Sequence, residues 1–263
     1  MEFITLLLSG LIGILSPAGV VLDSVAEQTI RAQLNSAETI AVRVDNAPSY
    51  QLVQGRVERV RLAGRGLFPL EGVRIDSFDI ETDAIALNPA SLQTGQIQLD
   101  KPLQAGVRLV VTEADLNRAL QSPQVVDLLQ NLSRDLAGFQ GQALEQYDFI
   151  DPRIDLLEGD RLRFQVTLQG RQTAQQVALN LEFGLTATTP YQLQVVNPQV
   201  TVNNQAFPPA LLSGFIAGLN RQLDLRSLAP EGITVRLLQW EVREQDIAIA
   251  AFIRVDPSFT AAQ

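Results

Sequence analysis

The stretch VALNLEFGLTA, residues 177–187, decides the fold. Val177, Leu179, Leu181, Phe183, Leu185 and Ala187 hold every second position, with Ala178, Asn180, Glu182, Gly184 and Thr186 between them. Side chains of a β-strand point alternately to opposite faces, so this period of two predicts a long strand with one apolar and one wet face. The pattern repeats outward from there, through Leu162, Phe164, Val166 and Leu168, through Leu103, Ala105, Val107, Leu109 and Val111, and through Ile40, Val42 and Val44 within 39–45. Strands with one wet face belong to antiparallel sheets. Leu157-Glu158-Gly159-Asp160 reads as the turn joining Ile154-Asp155-Leu156 to the strand that begins at Arg161. Near the C-terminus the phase slips from Ile233, Val235 and Leu237 to Leu238, Trp240 and Val242, which a β-bulge explains.

Helical spacing interrupts the alternation at a few places. Leu22, Ala26, Ile30 and Leu34 recur every four residues and predict a helix after Asp23 that ends near Asn35. Thr112-Glu113-Ala114-Asp115 resembles a capping box with Asp in place of Glu and starts a helix whose apolar side is Leu116 and Leu120. Ser122-Pro123 restarts a second segment, with Val125, Leu129, Leu132, Leu136 and Phe139 as its stripe. After Pro208-Pro209, Leu211, Leu212, Phe215, Ile216, Leu219 and Leu223 cover a wide apolar arc. A one-sided sheet must bury its apolar face against another layer. The expected fold is therefore α+β: residues 23–258 form one domain in which a long, curved antiparallel β-sheet wraps two or three amphipathic helices. Where the helices leave the concavity unfilled, an elongated apolar cavity remains, walled by the Leu211 to Leu223 arc.

No charged side chain stands between Phe3 and Leu22, enough residues to cross a bilayer core. Gly10, Gly13, Ser16, Pro17 and Gly19 interrupt that run. Three readings stand: a secretory signal with Ser16-Pro17-Ala18 as cleavage site, an uncleaved membrane anchor, and a buried first helix. Residues 1–22 are taken as signal or anchor.

Composition removes whole classes of chemistry. Of 263 residues 46 % are hydrophobic and 19 % charged, which suits a packed core, and the net charge of −9 would repel a nucleic-acid backbone. There is no Cys and no His, so thiolate chemistry, imidazole bases, catalytic triads and zinc sites are excluded. Asp148, Asp151, Asp155, Glu158 and Asp160 crowd one hairpin, but carboxylate-dependent glycoside hydrolysis wants two acids in a cleft with aromatic platforms, and aromatics are 6 % of the chain. They read as solvated turn residues. No calcium-loop pattern is present, and no metal, cofactor or catalytic residue is assigned. Gly64 to Gly72 (GRGLFPLEG) reads as a loop; either Leu67 and Phe68 dip into a membrane with Arg65 near a lipid phosphate, or Leu67, Phe68 and Leu70 pack under the sheet edge. Gly214 and Gly218 form a G-x-x-x-G, read as close packing against a strand. Lys101 is the single Lys, and Arg recurs at alternate strand positions such as Arg161 and Arg163, as on a wet sheet face.

Three segments carry a resemblance: Val44-Asp45-Asn46-Ala47-Pro48-Ser49-Tyr50 through Val60, Leu70-Glu71-Gly72-Val73-Arg74-Ile75-Asp76, and Val110-Val111-Thr112-Glu113-Ala114-Asp115-Leu116 through Leu120. Together with the amphipathic N-terminal helix, they resemble the LmeA-like phospholipid-binding family over roughly residues 20 to 255. Relatives often carry Gly-Phe-Pro where this chain has Asn46-Ala47-Pro48, so the Pro and the downstream Gly55 match and the Gly and Phe do not. The resemblance implies a non-enzymatic envelope protein that binds phospholipid, similar to tubular lipid-binding folds, with membrane surfaces as partners and export to the periplasmic side. The other readings are a membrane-anchored scaffolding protein without a lipid ligand, pairing through a sheet edge, and a carboxylate-dependent hydrolase.

Overall fold

In the computed structural model, residues 23–32, 34–45, 55–88, 98–127 with 129, 147–173, 175–206 and 213–259 are described. The expectations for residues 1–22, for Asn46-Ala47-Pro48 and for Leu132, Leu136 and Phe139 lie outside the described residues. Alternating sequence is strand throughout. The elements in order are α1 (Asp23–Ala32), β1 (Ser36–Asp45), β2 (Arg56–Val57), β3 (Arg59–Leu70), β4 (Val73–Thr82), β5 (Ile85–Ala86), β6 (Leu103–Thr112), α2 (Glu113–Leu120), β7 (Tyr147–Leu157), β8 (Arg161–Gly170), β9 (Gln176–Thr189), β10 (Gln192–Val202), β11 (Gln205–Ala206), α3 (Ser213–Gln222), a 3-10 helix (Leu225–Glu231), β12 (Ile233–Val242) and β13 (Asp246–Val255). Residues 123–127 are also helical.

The strands form two open sheets and a ribbon instead of one long sheet. Six strands run in the order β1-β3-β4-β6-β13-β12, five in the order β11-β10-β9-β8-β7, and β2 pairs with β5. The chain packs as two compact units, residues 1–110 with 225–239 and 249–263, and residues 111–224 with 240–248.

In the first unit most of the apolar sheet face is buried. Ile40 and Val42 of β1, Val60 and Leu62 of β3, and Ile80 of β4 lie at 0 to 7 % exposure, against Ile30 of α1 and Leu228 of the 3-10 helix. Each such side chain contributes about 1.5–3 kcal/mol. Thr82, also buried, accepts a hydrogen bond from the Val60 N–H at 3.0 Å, so its hydroxyl is satisfied inside the core. On β12, Ile233 and Val235 face this core while Leu238 is 62 % exposed. The alternation from Ile233 runs unbroken through Leu238, and the expected slip falls after it, since Trp240 is half-buried and Val242 buried.

The second unit is organised by its sheet edges. α2 begins on the expected cap: Thr112 Oγ1 accepts from the Asp115 N–H at 3.1 Å and donates to Asp115 Oδ2 at 2.7 Å. The Glu113 N–H donates to the Gln245 carbonyl at 2.9 Å, using another of the free N–H groups of the helix start. One face of α2 then pairs with the outer edge of β7. The Leu156 N–H donates to Glu113 Oε2 at 2.8 Å, the Ile154 N–H to Asn117 Oδ1 at 2.8 Å, Asn117 Nδ2 to the Ile154 carbonyl at 2.7 Å, and Gln121 Nε2 to the Pro152 carbonyl at 2.9 Å. Four helical residues rise about 6 Å and two strand residues about 6.6 Å, so positions 113, 117 and 121 meet 156, 154 and 152 in step. The β10 edge is treated alike, with the Val195 N–H donating to Asn220 Oδ1 of α3 at 2.9 Å and the Leu193 N–H to the Leu223 carbonyl at 3.3 Å.

Asn117→Leu leaves the Ile154 N–H and carbonyl without these partners and is expected to lower stability by about 2 kcal/mol. Asn117→Asp, which keeps an acceptor and loses the donor, should cost less. Urea unfolding with an unchanged m-value measures both, and a wild-type midpoint for Asn117→Leu would mean the edge is not held this way.

Candidate lipid-binding face

The registers of β7 to β10 sort the second sheet into two faces. On one, Ile154, Phe164, Leu181 and Val200 stand in a cross-strand row, next to rows of Leu156, Leu162 and Phe183 and of Val166, Leu179 and Val202. On the other, the matching rows are Arg153, Gln165, Asn180 and Thr201, and Asp155, Arg163, Glu182 and Gln199. Arg163 and Arg161 both pair with Glu182 on that wet face. Irregular register at Asp151-Pro152 and Asn197-Pro198 bends β7 and β10, with Asp151 at φ 49° and Asn197 at φ 48°.

Burial differs sharply from the first unit. Leu156, Leu162, Val166, Leu168 and Val200 are buried, but Val177, Leu179, Leu181, Phe183 and Leu185, the stretch that named the fold, are all only half-buried. Those five side chains line about 26 Å of β9 at 3.3 Å per residue. A bilayer leaflet, one acyl chain deep, has about 15 Å of hydrocarbon. The face is long enough for an acyl chain.

Of the arc expected to wall a cavity, Leu211 and Leu212 lie outside the described residues, as does the Phe215 side chain. Ile216 and Leu219 on α3 are half-buried, and so is Leu223, one residue past its end, whose carbonyl fixes the helix to β10. Gly218 is buried, but Gly214 is exposed and a Cβ there would meet nothing within 4 Å, so the G-x-x-x-G is not a close-packed pair.

Residues 64–70 are not a loop but the second half of β3. Leu67 is 1 % exposed and belongs to the core of the first unit, which takes it off any membrane-dipping surface. Phe68 is half-buried and its carbonyl accepts from the Asn35 N–H at 2.9 Å. Arg65 is exposed and donates to Asp79 Oδ1 at 2.7 Å. Gly66 is required by conformation, at φ +56° with the Glu38 carboxylate where a Cβ would go. Leu70, expected under the sheet edge, is 50 % exposed.

The acidic hairpin does not converge. Asp148 pairs with Arg171 at 2.7 Å, Asp155 lies 3.9 Å from Arg163, and Asp160 Oδ1 accepts from the Val242 N–H at 2.8 Å, while Asp151 and Glu158 are exposed. Among the described residues no group of three or more acids could hold a metal ion, and no helix is long and apolar enough to cross a membrane. The sequence reading missed a polar cleft of about 680 Å³ on this unit, bordered by Asn117, Gln121, Arg153, Gln165, Asn180 and Thr201. Its residues are spread over α2 and four strands, and the register that joins them is set by pairing.

These features define an α+β protein of open, one-sided antiparallel sheets with a partly uncovered apolar face. The chain belongs to the LmeA-like phospholipid-binding family, which it matches over residues 15–252. No curated protein and no solved structure matches it.

Leu67→Ala should lower stability by about 2–5 kcal/mol, and Leu70→Ala by less than about 0.5 kcal/mol. Thermal unfolding of the two variants checks the assignment; the reverse order would return Leu67 to the surface.

Proposed function

We propose that the chain is a non-enzymatic phospholipid-binding or lipid-transfer protein of the cell envelope, with acyl chains buried between helices and the apolar face of the second sheet. The observation that carries this reading is the row of half-buried apolar side chains along β9, from Val177 to Leu185, in a member of a phospholipid-binding family. Each acyl methylene taken from water onto that face contributes about 0.8 kcal/mol, so affinity accumulates along the chain without a cluster of cations. Ile216, Leu219 and Leu223 of the α3 region supply the other wall. The absence of His and Cys from the whole chain supports a binding role over a catalytic one. Residues 3–22 act as export signal or membrane anchor, and the ligand is met on the periplasmic side. The scaffolding alternative needs an open strand edge, and on the second sheet the edges of β7 and β10 are engaged by Asn117 and Asn220.

Organic extraction and mass spectrometry of lipid retained by the purified chain tests this, with Leu181→Asp, Phe183→Asp as the variant and circular dichroism as the check that it folds. Stoichiometric phospholipid in the parent and none in the folded variant is the expected result. A folded parent without lipid would move the assignment to the scaffold.

A further inference from the structure

The outer face of the first sheet runs against the charge of the chain. The protein carries 29 acids to 20 bases, yet on this face Arg43, Arg59, Arg61, Arg65, Arg108 and Arg236 stand against Asp45, Asp79 and Glu81. The registers place them together: Arg43, Arg61, Glu81 and Gly106 form one cross-strand row, and Ala41, Ala63, Asp79 and Arg108 the next. Arg236, on β12, lies on the same side of the sheet, because Ile233 and Val235 in the alternation face the core. Arg254 on β13 is matched by Asp256 at 3.1 Å and adds no net charge.

The three carboxylates are already shared. Asp45 takes Arg43 at 2.8 Å and Arg61 at 3.0 Å, Glu81 takes Arg59 at 3.0 Å and Arg61 at 3.5 Å, and Asp79 takes Arg65 at 2.7 Å. The Arg43 hydrogen bond, and after it the Arg61 charge, hold the Asp45 carboxyl below its ordinary value, so it remains ionised and engaged at neutral pH. Arg108 and Arg236 are exposed and have no ion pair among the described residues. Between the charges lies an open trough of about 570 Å³, lined chiefly by apolar surface and bordered by Ala41, Ala63, Gly106 and the 62 % exposed Leu238. Surplus guanidinium groups around small residues and a projecting leucine fit a lipid surface, where phosphates meet the first methylenes, better than a purely polar polyanion.

We propose that this face, with Arg108, Arg236 and Leu238 at its open part, docks the protein on a bilayer containing anionic phospholipid. The proposal rests on the lipid-handling reading above and adds the surface from which lipid is collected or delivered. Co-sedimentation of the full chain with vesicles of about one-third phosphatidylglycerol in phosphatidylcholine, against phosphatidylcholine alone, tests it as a ratio of affinities, in which any contribution of residues 3–22 common to both cancels. The expected result is preference for the anionic vesicles, reduced on the order of thirtyfold in Arg108→Gln, Arg236→Gln and lost in 1 M salt, where the Debye length is about 3 Å. Leu238→Ser should weaken binding to a smaller extent. A ratio near one in the parent, a double variant that binds like the parent, or Arg-dependent binding to a DNA duplex without binding to vesicles would each overturn the docking surface. Retained lipid, measured by extraction from the same samples, is expected to be unchanged in the double variant; its absence from the parent would count against the acyl-chain site and not against docking.

Discussion

The second sheet depends on a match between two repeats. A helix advances about 6 Å in four residues and a strand about 6.6 Å in two, so side chains spaced by four on α2 satisfy the outward backbone groups of β7 from the Pro152 carbonyl to the Leu156 N–H. An unsatisfied strand edge is both a cost in free energy and a template for aggregation. With Glu113, Asn117 and Gln121 on one edge and Asn220 on the other, the second sheet ends as a five-stranded unit. The same bonds hold α2 and α3 at the edge strands. The Glu113 N–H, bonded to Gln245, and Asp160, bonded to Val242, bring the β12–β13 turn into that arrangement.

Burial separates a structural sheet from a candidate binding one. In the first unit Ile30 and Leu228 pack on the apolar face, and most of its side chains are buried there. In the second, β9 carries five consecutive inward positions that are half-buried. Apolar area left partly in water is an unrealised gain in free energy, and the proposed lipid site rests on that observation.

Charge follows the same logic of faces. A total of −9 describes the chain as a whole and conceals a cation-rich face on the first sheet. Pairing places Arg43 beside Arg61 and Asp79 beside Arg108, although each is far from the other in sequence. The sum over the chain carries no information on where the cations gather.

Alternation with period two was enough to read β1, β6, β8, β9 and β12, and local residue patterns the turn at Glu158-Gly159-Asp160 and the cap at Thr112, because each depends on residues within a few positions of one another. The resemblance to the lipid-binding family was likewise readable from local strand and turn patterns. What tertiary structure decided was partition and exposure. Two sheets stand where one was expected, and side chains of α2, 31 to 43 residues away in sequence, hold the edge of β7. Leu67 is core although the exposed Arg65 stands two residues before it in the same register, with Gly66 at φ +56° between them, and Leu238 is surface although it lies in an alternating run. The polar cleft and the arginine face were invisible in the sequence because their residues meet only through cross-strand pairing, which couples positions tens of residues apart.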